Sequence, residues 1–299
     1  LRTIKVYLCV FNFNYMVYNL LKGKKGIILG ALNDMSIAWK VAERAVEEGA
    51  EIVLTNTPLA IRMGDMDKLA EKTNAKVIAA DATSVEDIEN LLKESMAHFG
   101  GKVDFILHSI GMSLNVRKNR PYDDLNYDYM MKSMDISAIS FHKLLQTARK
   151  MDAIREWGSV VALSYVAAQR TFFGYNEMAE AKAMLESIAR SFGYIYGRDK
   201  KIRVNTISQS PTLTTAGQGI KGIGDLMDFS ERMSPLGNAS ADDCADYCLV
   251  MFSDLTRKVT MQNLFNDGGF SNVGMSWRAM NVYSMSLEDM KNNMDKIID

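Results

Sequence analysis

Residues 158–190 read Gly-Ser-Val-Val-Ala-Leu-Ser-Tyr-Val-Ala-Ala-Gln-Arg-Thr-Phe-Phe-Gly-Tyr-Asn-Glu-Met-Ala-Glu-Ala-Lys-Ala-Met-Leu-Glu-Ser-Ile-Ala-Arg, and the organisation of the chain follows from them. Residues 159–164 are a short, β-branched apolar run suited to a buried strand, and residues 176–196 repeat apolar side chains at helical spacing. The strand therefore delivers Tyr165 into a loop. Tyr175 is expected at the start of the helix and Lys182 two turns on, so a phenol and an ammonium share one face. An ammonium held there favours phenolate and hydrogen-bond donation to a carbonyl oxygen. The same spacing also describes an ordinary amphipathic surface, so the rest of the chain has to decide.

With 299 residues, 47% of them hydrophobic and 24% charged, the chain has the composition of a globular protein with a sizeable core. A net charge of -1 gives no bulk attraction for nucleic acid. Cys9, Cys244 and Cys248 are odd in number and lack the neighbours of a metal site, so buried thiols and no metal are expected. Residues 1–19 are apolar at first sight, but Asn12, Asn14 and Asn19 interrupt them and no small-x-small cleavage site follows. They are expected to be an extension, with residues 1–15 upstream-translated or cloning-derived. No other stretch is long and apolar enough for a membrane span.

Outward from the central segment, strands are predicted at 25–29, 51–55, 76–80, 104–108, 203–208 and 262–266. Helices are predicted at 36–48, 65–72, 85–99, 126–150 and 241–252. The alternation indicates an α/β fold, a single-domain, Rossmann-like, doubly wound parallel sheet of about seven strands with helices on both faces. Ligands of such sheets lie beyond the carboxyl ends of the strands. There the sequence places Gly30, Asp81, Ser109-Ile110-Gly111, Tyr165 and Ser210-Pro211-Thr212-Leu213-Thr214.

Each of these has two readings. Gly30 before a helix start at Ser36 suits a pyrophosphate or an ordinary turn, since G-x-G-x-x-G is missing. Asp81 suits an adenine amine or a helix cap, and Gly111 a close ligand approach or a tight turn. The second strand ends Thr55-Asn56-Thr57-Pro58, with neither an acid for a ribose 2′-hydroxyl nor a nearby arginine for a 2′-phosphate, which favours NAD over NADP. His98, His108 and His142 form no triad. Residues 212–233, with Gly217, Gly219, Gly222 and Gly224 among apolar residues, suit a mobile lid over a greasy substrate or a surface loop.

Taken jointly, these features resemble the short-chain dehydrogenase/reductase superfamily, and within it the divergent branch of type I bacterial enoyl-[acyl-carrier-protein] reductases. The resemblance covers residues 20–271. Its most specific feature is the spacing of Tyr165, Tyr175 and Lys182, six residues standing between the last two where most of the superfamily has three. Gly30 with Ser36-Ile37-Ala38, His108-Ser109-Ile110-Gly111, Arg203-Val204-Asn205 and Asn266-Asp267-Gly268-Gly269 support it. The resemblance implies reduction of a trans-2-enoyl thioester by NADH, with NADPH as the alternative, in the last reductive step of fatty-acid elongation. It implies catalytic roles for Tyr165, Tyr175 and Lys182, with Lys182 also on the nicotinamide ribose. It further implies dinucleotide contacts from Gly30, Ser36, Ile37, Thr57, Asp81, Ala82, Ile110, Thr212, Leu213, Thr214, Thr215 and Ala216, and a substrate contact from Ser113. An acyl carrier protein partner, a homotetramer and a cytoplasmic location are implied as well. Departures from the family pattern are Ser210 before Pro211, Thr212 after it, and Gly224 and Asp225 beyond Lys221 where carrier-binding basic residues are expected. Residues 273–299 run past the usual end, and 286–298 carry the spacing of an amphipathic helix suited to a neighbouring subunit, or form a loose tail. The competing readings are a 3-oxoacyl or other carbonyl reductase and a non-catalytic dinucleotide-binding protein.

Overall fold

The computed structural model describes residues 17–215, 217 and 222–298, the side chains of 290–298 apart. Residues 1–16, on which most of the expected N-terminal extension falls, lie outside the described residues, as do Ala216 and Lys221.

The chain runs β1 (Lys25–Leu29), α1 (Ile37–Glu47), β2 (Glu51–Thr55), α2 (Pro58–Met63), α3 (Met66–Thr73), β3 (Lys76–Val77), α4 (Val85–Phe99) and β4 (Val103–His108). It continues through α5 (Leu114–Arg117), α6 (Tyr127–Met134), a π-helical turn (Asp135–Ile139), α7 (Ser140–Lys150), β5 (Ile154–Ser164) and α8 (Met178–Lys200). The last elements are β6 (Arg203–Gln209), α9 (Ile223–Met233), α10 (Ala241–Phe252), β7 (Asn263–Asn266) and α11 (Trp277–Ile298). The strands form one sheet in the order β3-β2-β1-β4-β5-β6-β7, every neighbouring pair parallel. This is the doubly wound sheet expected from the sequence, and its order reverses between β1 and β4, where a ligand crevice opens.

Alternation along the strands builds a core on each face. Ile27, Leu29, Ile106, Val160 and Ala162 pack with α4, α7 and α8. Ile28, Phe105, Leu107, Val161 and Leu163 pack with α1, α3 and α10. Because both faces are covered, β1, β2 and β4 carry the continuous apolar runs 27–29, 52–54 and 105–107. Gly26 is required here: a Cβ on it would stand 2.1 Å from the ring of Phe105, which stacks on Phe252 at 4.5 Å.

The departures from expectation are local. The regular β3 ladder stops at Val77, although Ile78 and Ala80 still donate to Leu54 and Asn56 carbonyls at 3.0 Å. The edge chain thus stays beside β2 through the expected 76–80. The predicted 126–150 helix is continuous in course but interrupted by the π turn. β5 begins at Ile154, earlier than expected, and an irregularity admits its extra residues: Val103 pairs with Ile154, yet Phe105 pairs with Ser159. The helix expected from residue 176 starts at Met178, so Tyr175 lies in the turn before it. The short α2 and α5 are too brief for periodicity to reveal. Within the expected lid, residues 223–233 are α9. Past the expected domain end, α11 begins at Trp277 and Ser276 Oγ donates to the Arg232 carbonyl at the end of α9. Leu287 is exposed, and the side chains of Met290, Met294 and Ile297 lie outside the described set.

Candidate active site

The crevice is a cavity of about 460 Å³ at the carboxyl ends of β1, β4, β5 and β6. Gly30 forms its floor at φ +100°, and a Cβ there would fall 2.1 Å from the Ser109 carbonyl oxygen. Only glycine satisfies both conditions. The Ser36 side chain makes no capping bond to α1: it accepts from the Leu32 and Asn33 amides, each at 3.2 Å. It thereby curls the loop between β1 and α1 and sets the start of α1, Ser36 and Ile37, against the cavity. Asn33 Nδ2 donates to Thr215 Oγ1 at 2.8 Å, tying this loop to the segment that follows β6.

Tyr165, Tyr175 and Lys182 all line the cavity. The tyrosine rings lie 5.0 Å apart, tilted by 53°. The Tyr165 hydroxyl is buried without a protein partner. Lys182 Nζ donates to the Leu163 carbonyl at 2.7 Å and is 7% exposed. Burial brings its pKa down to about 8, with the Glu186 carboxylate pulling the other way. Glu186 is held by Ser164 Oγ at 2.7 Å and Gln169 Nε2 at 3.1 Å. The expectation that Lys182 would draw Tyr175 toward phenolate is corrected: burial pushes the Tyr175 phenol well above its ordinary value. The low-polarity site disfavours the anion, and Lys182 is committed to Leu163. Tyr165 is likewise raised, by burial and then by Tyr175 and Asp267. Both phenols are therefore hydrogen-bond donors at neutral pH.

His108 closes β4 beneath the cavity. Burial and then the Lys182 charge lower its pKa to about 3, so it is neutral. Ser140 donates to the Ile136 carbonyl at 2.7 Å, leaving its oxygen to accept from His108 Nε2 at 2.9 Å. This assigns the His108 proton to Nε2.

Of the other residues expected at the site, Ser36, Ile37, Ile110, Ser113, Thr212, Thr214 and Thr215 line the cavity. Thr57, Asp81, Ala82 and Leu213 do not. Thr57 caps α2 by accepting from Ala60 N, Asp81 is engaged by Thr83 N and Oγ1 at 2.8 and 2.7 Å, Ala82 is buried in the core, and Leu213 is exposed. Ser113 reaches the wall, but its hydroxyl donates to Glu177 at 2.6 Å and accepts from Val116 N at 3.0 Å. Ala216 lies outside the described residues. Asn56 and Gln209, absent from the expectation, line the cavity. Asn56 Nδ2 donates to the Ala31 carbonyl at 2.8 Å. A search for charge at the end of β2 passes over a neutral amide there. Gln209 Nε2 reaches the Ala239 and Ser240 carbonyls, and its oxygen accepts from Asn266 at 2.8 Å.

Arg203 and Asn205, away from the cavity, have structural duties. Buried Arg203 donates to the carbonyls of Met251, Ser253 and Thr256, and Asn205 joins the Val259 carbonyl and the Gln262 amide. Among the described residues no cluster of His, Cys, Asp or Glu is arranged to hold a metal ion, and no helix is long and apolar enough to cross a membrane.

A dinucleotide fits this crevice: a glycine floor that a Cβ would fill, the start of α1 beside it, and a buried hydroxyl and ammonium facing one cavity match its phosphates and ribose. Comparison with known proteins gives the same answer. Residues 30–271 match the family model described as enoyl-(acyl carrier protein) reductase. The chain is 31% identical to enoyl-[acyl-carrier-protein] reductase [NADH] 2 of Rhizobium meliloti, covering 86% of this chain and 94% of that protein. It is 33% identical to the NADH enoyl-[acyl-carrier-protein] reductase of Rickettsia bellii over 87% and 98%. The crystal structure of the FabI–NADH complex from Alistipes finegoldii superposes with a TM-score of 0.87 at 74% identity, covering 88% of this chain and 93% of that one. Fold, crevice and comparisons converge, and the chain belongs to the enoyl-(acyl carrier protein) reductase family.

Proposed function

We propose that the chain reduces the trans-2 double bond of enoyl-acyl carrier protein thioesters with NADH, the last reductive step of fatty-acid elongation, and that Tyr175 and Lys182 divide the work. When bound, NADH supplies a hydride to the β-carbon of the thioester. Tyr175, its phenol kept protonated by burial, donates a hydrogen bond to the thioester oxygen as negative charge gathers there, and its proton stands ready for later transfer. A donor already on the cavity wall needs little reorganisation when that charge appears. Lys182 holds the nicotinamide ribose hydroxyls with protons not used on Leu163, and its charge adds to the positive potential of the site. Tyr165, with an unpartnered hydroxyl, orients the thioester beside Tyr175. Gly30 and the α1 start receive the pyrophosphate. Thr212, Thr214 and Thr215 border the nicotinamide, and residues 212–233 act as the lid of a domain spanning residues 20–272.

The single observation behind this reading is the convergence of Tyr165, Tyr175 and Lys182 on one cavity, with the Tyr175 phenol protonated. The named relatives are NADH enzymes, and the neutral end of β2 favours NADH over NADPH. We further assign a cytoplasmic location, an acyl carrier protein donor and a homotetramer. Following reduced-nicotinamide consumption with crotonyl and longer 2-enoyl thioesters tests the activity. Consumption that collapses in Tyr175→Phe and Lys182→Met supports the reading, and tight NADH binding without turnover of any enoyl thioester overturns it. Sedimentation of the purified chain tests the tetramer.

A further inference from the structure

Two residues after Tyr175, Glu177 carries a carboxylate that is wholly buried. It stands at the N-cap position of the 23-residue α8, where the helix dipole favours negative charge, yet its side chain makes no capping bond to its own helix. It turns outward instead. Oε1 receives Ser113 Oγ at 2.6 Å, Asn115 Nδ2 at 3.2 Å and Ser133 Oγ at 2.9 Å, while Oε2 is buried with no protein partner. Ser133 Oγ also lies 2.8 Å from the Tyr129 carbonyl. A hydroxyl has one proton, so only Ser113 and Asn115 are uncontested donors.

These partners belong to the cavity wall and its support. Ser113 caps α5, Asn115 braces the start of α6 through both Asn126 backbone groups, and Ser133 lies on α6. The neighbouring Asn176, at φ +47°, makes a parallel tie by donating to the Arg120 carbonyl at 2.7 Å. Tyr175 itself stands in the turn before α8, its amide donating to the Phe172 carbonyl and its carbonyl accepting from Met178 N, both at 3.2 Å. Its backbone therefore moves with residues 176–178, and the side chains of 176 and 177 tie that turn to the neighbouring segments. A buried carboxylate is a costly way to join segments that apolar contacts could join, and its placement beside the phenol needs a reason.

We propose that Glu177 is a positioning residue: it locks the Tyr175 turn to the 113–133 wall and so sets where the phenol meets the thioester oxygen. This rests on the enoyl reductase reading above. A misplacement on the order of 1 Å is enough to cost about 100-fold in rate, so Glu177→Ala is expected to lower kcat by roughly 10- to 100-fold while the KM and Kd of NADH stay within about twofold. Glu177→Gln, whose amide oxygen still accepts from Ser113 and Asn115, restores most of the rate.

The deciding experiment is a double-mutant cycle on the full chain with Tyr175→Phe, run with crotonyl thioester and NADH beside a wild-type control. If Glu177 acts through Tyr175, Glu177→Ala costs little more in the Tyr175→Phe background. Additive losses, or unchanged kcat in Glu177→Ala, overturn the proposal. Absence of wild-type turnover defeats the reductase reading separately. Independently of turnover, nitration of Tyr175 by tetranitromethane, mapped by mass spectrometry against Tyr165, is expected to quicken in Glu177→Ala, and an unchanged rate overturns the proposal. Should Glu177→Ala fail to fold, Ser113→Ala and Asn115→Ala carry the same cycle and nitration test, with the same outcomes deciding.

Discussion

Raising the pH through 8 should silence the enzyme at one identifiable atom. Lys182 releases its proton near pH 8 in the native protein because burial strips water from the ammonium, with Glu186 recovering part of that loss. Tyr175 and Tyr165 are pushed upward and His108 down to about 3, so none of these three titrates in the same window. If the ammonium is the working form, kcat/KM is halved near pH 8 and falls to about a tenth near pH 9 for a single essential proton. The assay is the initial rate of NADH oxidation between pH 6 and 9.5, corrected for thioester hydrolysis. Glu186→Gln removes the charge that sustains the ammonium and moves the alkaline limb to lower pH. A flat wild-type profile to pH 9.5, or a limb that survives in Lys182→Met, refutes the reasoning. Stability has the opposite trend. The native pKa is depressed, so between about 8 and the ordinary 10.5 the unfolded chain binds more protons, and this group adds up to ~3 kcal/mol as pH rises through that window.

Tyr175→Phe is expected to lower kcat by about 100- to 1000-fold, the cost of one oxyanion donor, with NADH affinity unchanged by fluorescence titration. Gly30→Ala, forced to φ +100° and against the Ser109 carbonyl, should cost about 1–3 kcal/mol of backbone strain and weaken NADH binding, read by thermal melting and titration. Arg203→Met leaves buried carbonyls without a donor, each costing about 1–3 kcal/mol, and should lower the melting temperature without changing NADH affinity in the protein that folds. Phe105→Ala opens a cavity above Gly26 and loses the Phe252 stack, a loss of about 3–5 kcal/mol measurable by denaturant titration.

The fold was legible because the inner strands are buried on both faces and bounded by punctuation. β1, β2 and α4 fall at the predicted 25–29, 51–55 and 85–99. The site was legible wherever a strand end fixes a side chain. Gly30, Ile110 and Tyr165 reach the cavity because β1, β4 and β5 aim them there. Legibility failed where a side chain chooses between neighbours. Ser36 prefers its own loop to its helix, Asp81 prefers Thr83, and Ser113 prefers Glu177. None of these choices leaves a periodic trace. The spacing likewise brings Tyr175 and Lys182 to one cavity, but the sign of the phenol's shift depends on burial, which spacing does not encode.

The π turn at Asp135–Ile139 has a consequence for the way this chain tolerates insertion and deletion. A regular α-helix turns by about 100° per residue, so one residue added or removed normally swings everything beyond it off its face. Here Ser137 Oγ receives the Met112 amide at 3.0 Å, and Ser140 supports His108, while α7 beyond them packs on the sheet. The wide turn takes up a residue that regular winding would not accommodate, so that both ends of one continuous rod face their separate neighbours. A shortened homologue lacking one residue in this turn would wind more regularly, yet would have to surrender either the wall of the crevice or the packing of α7.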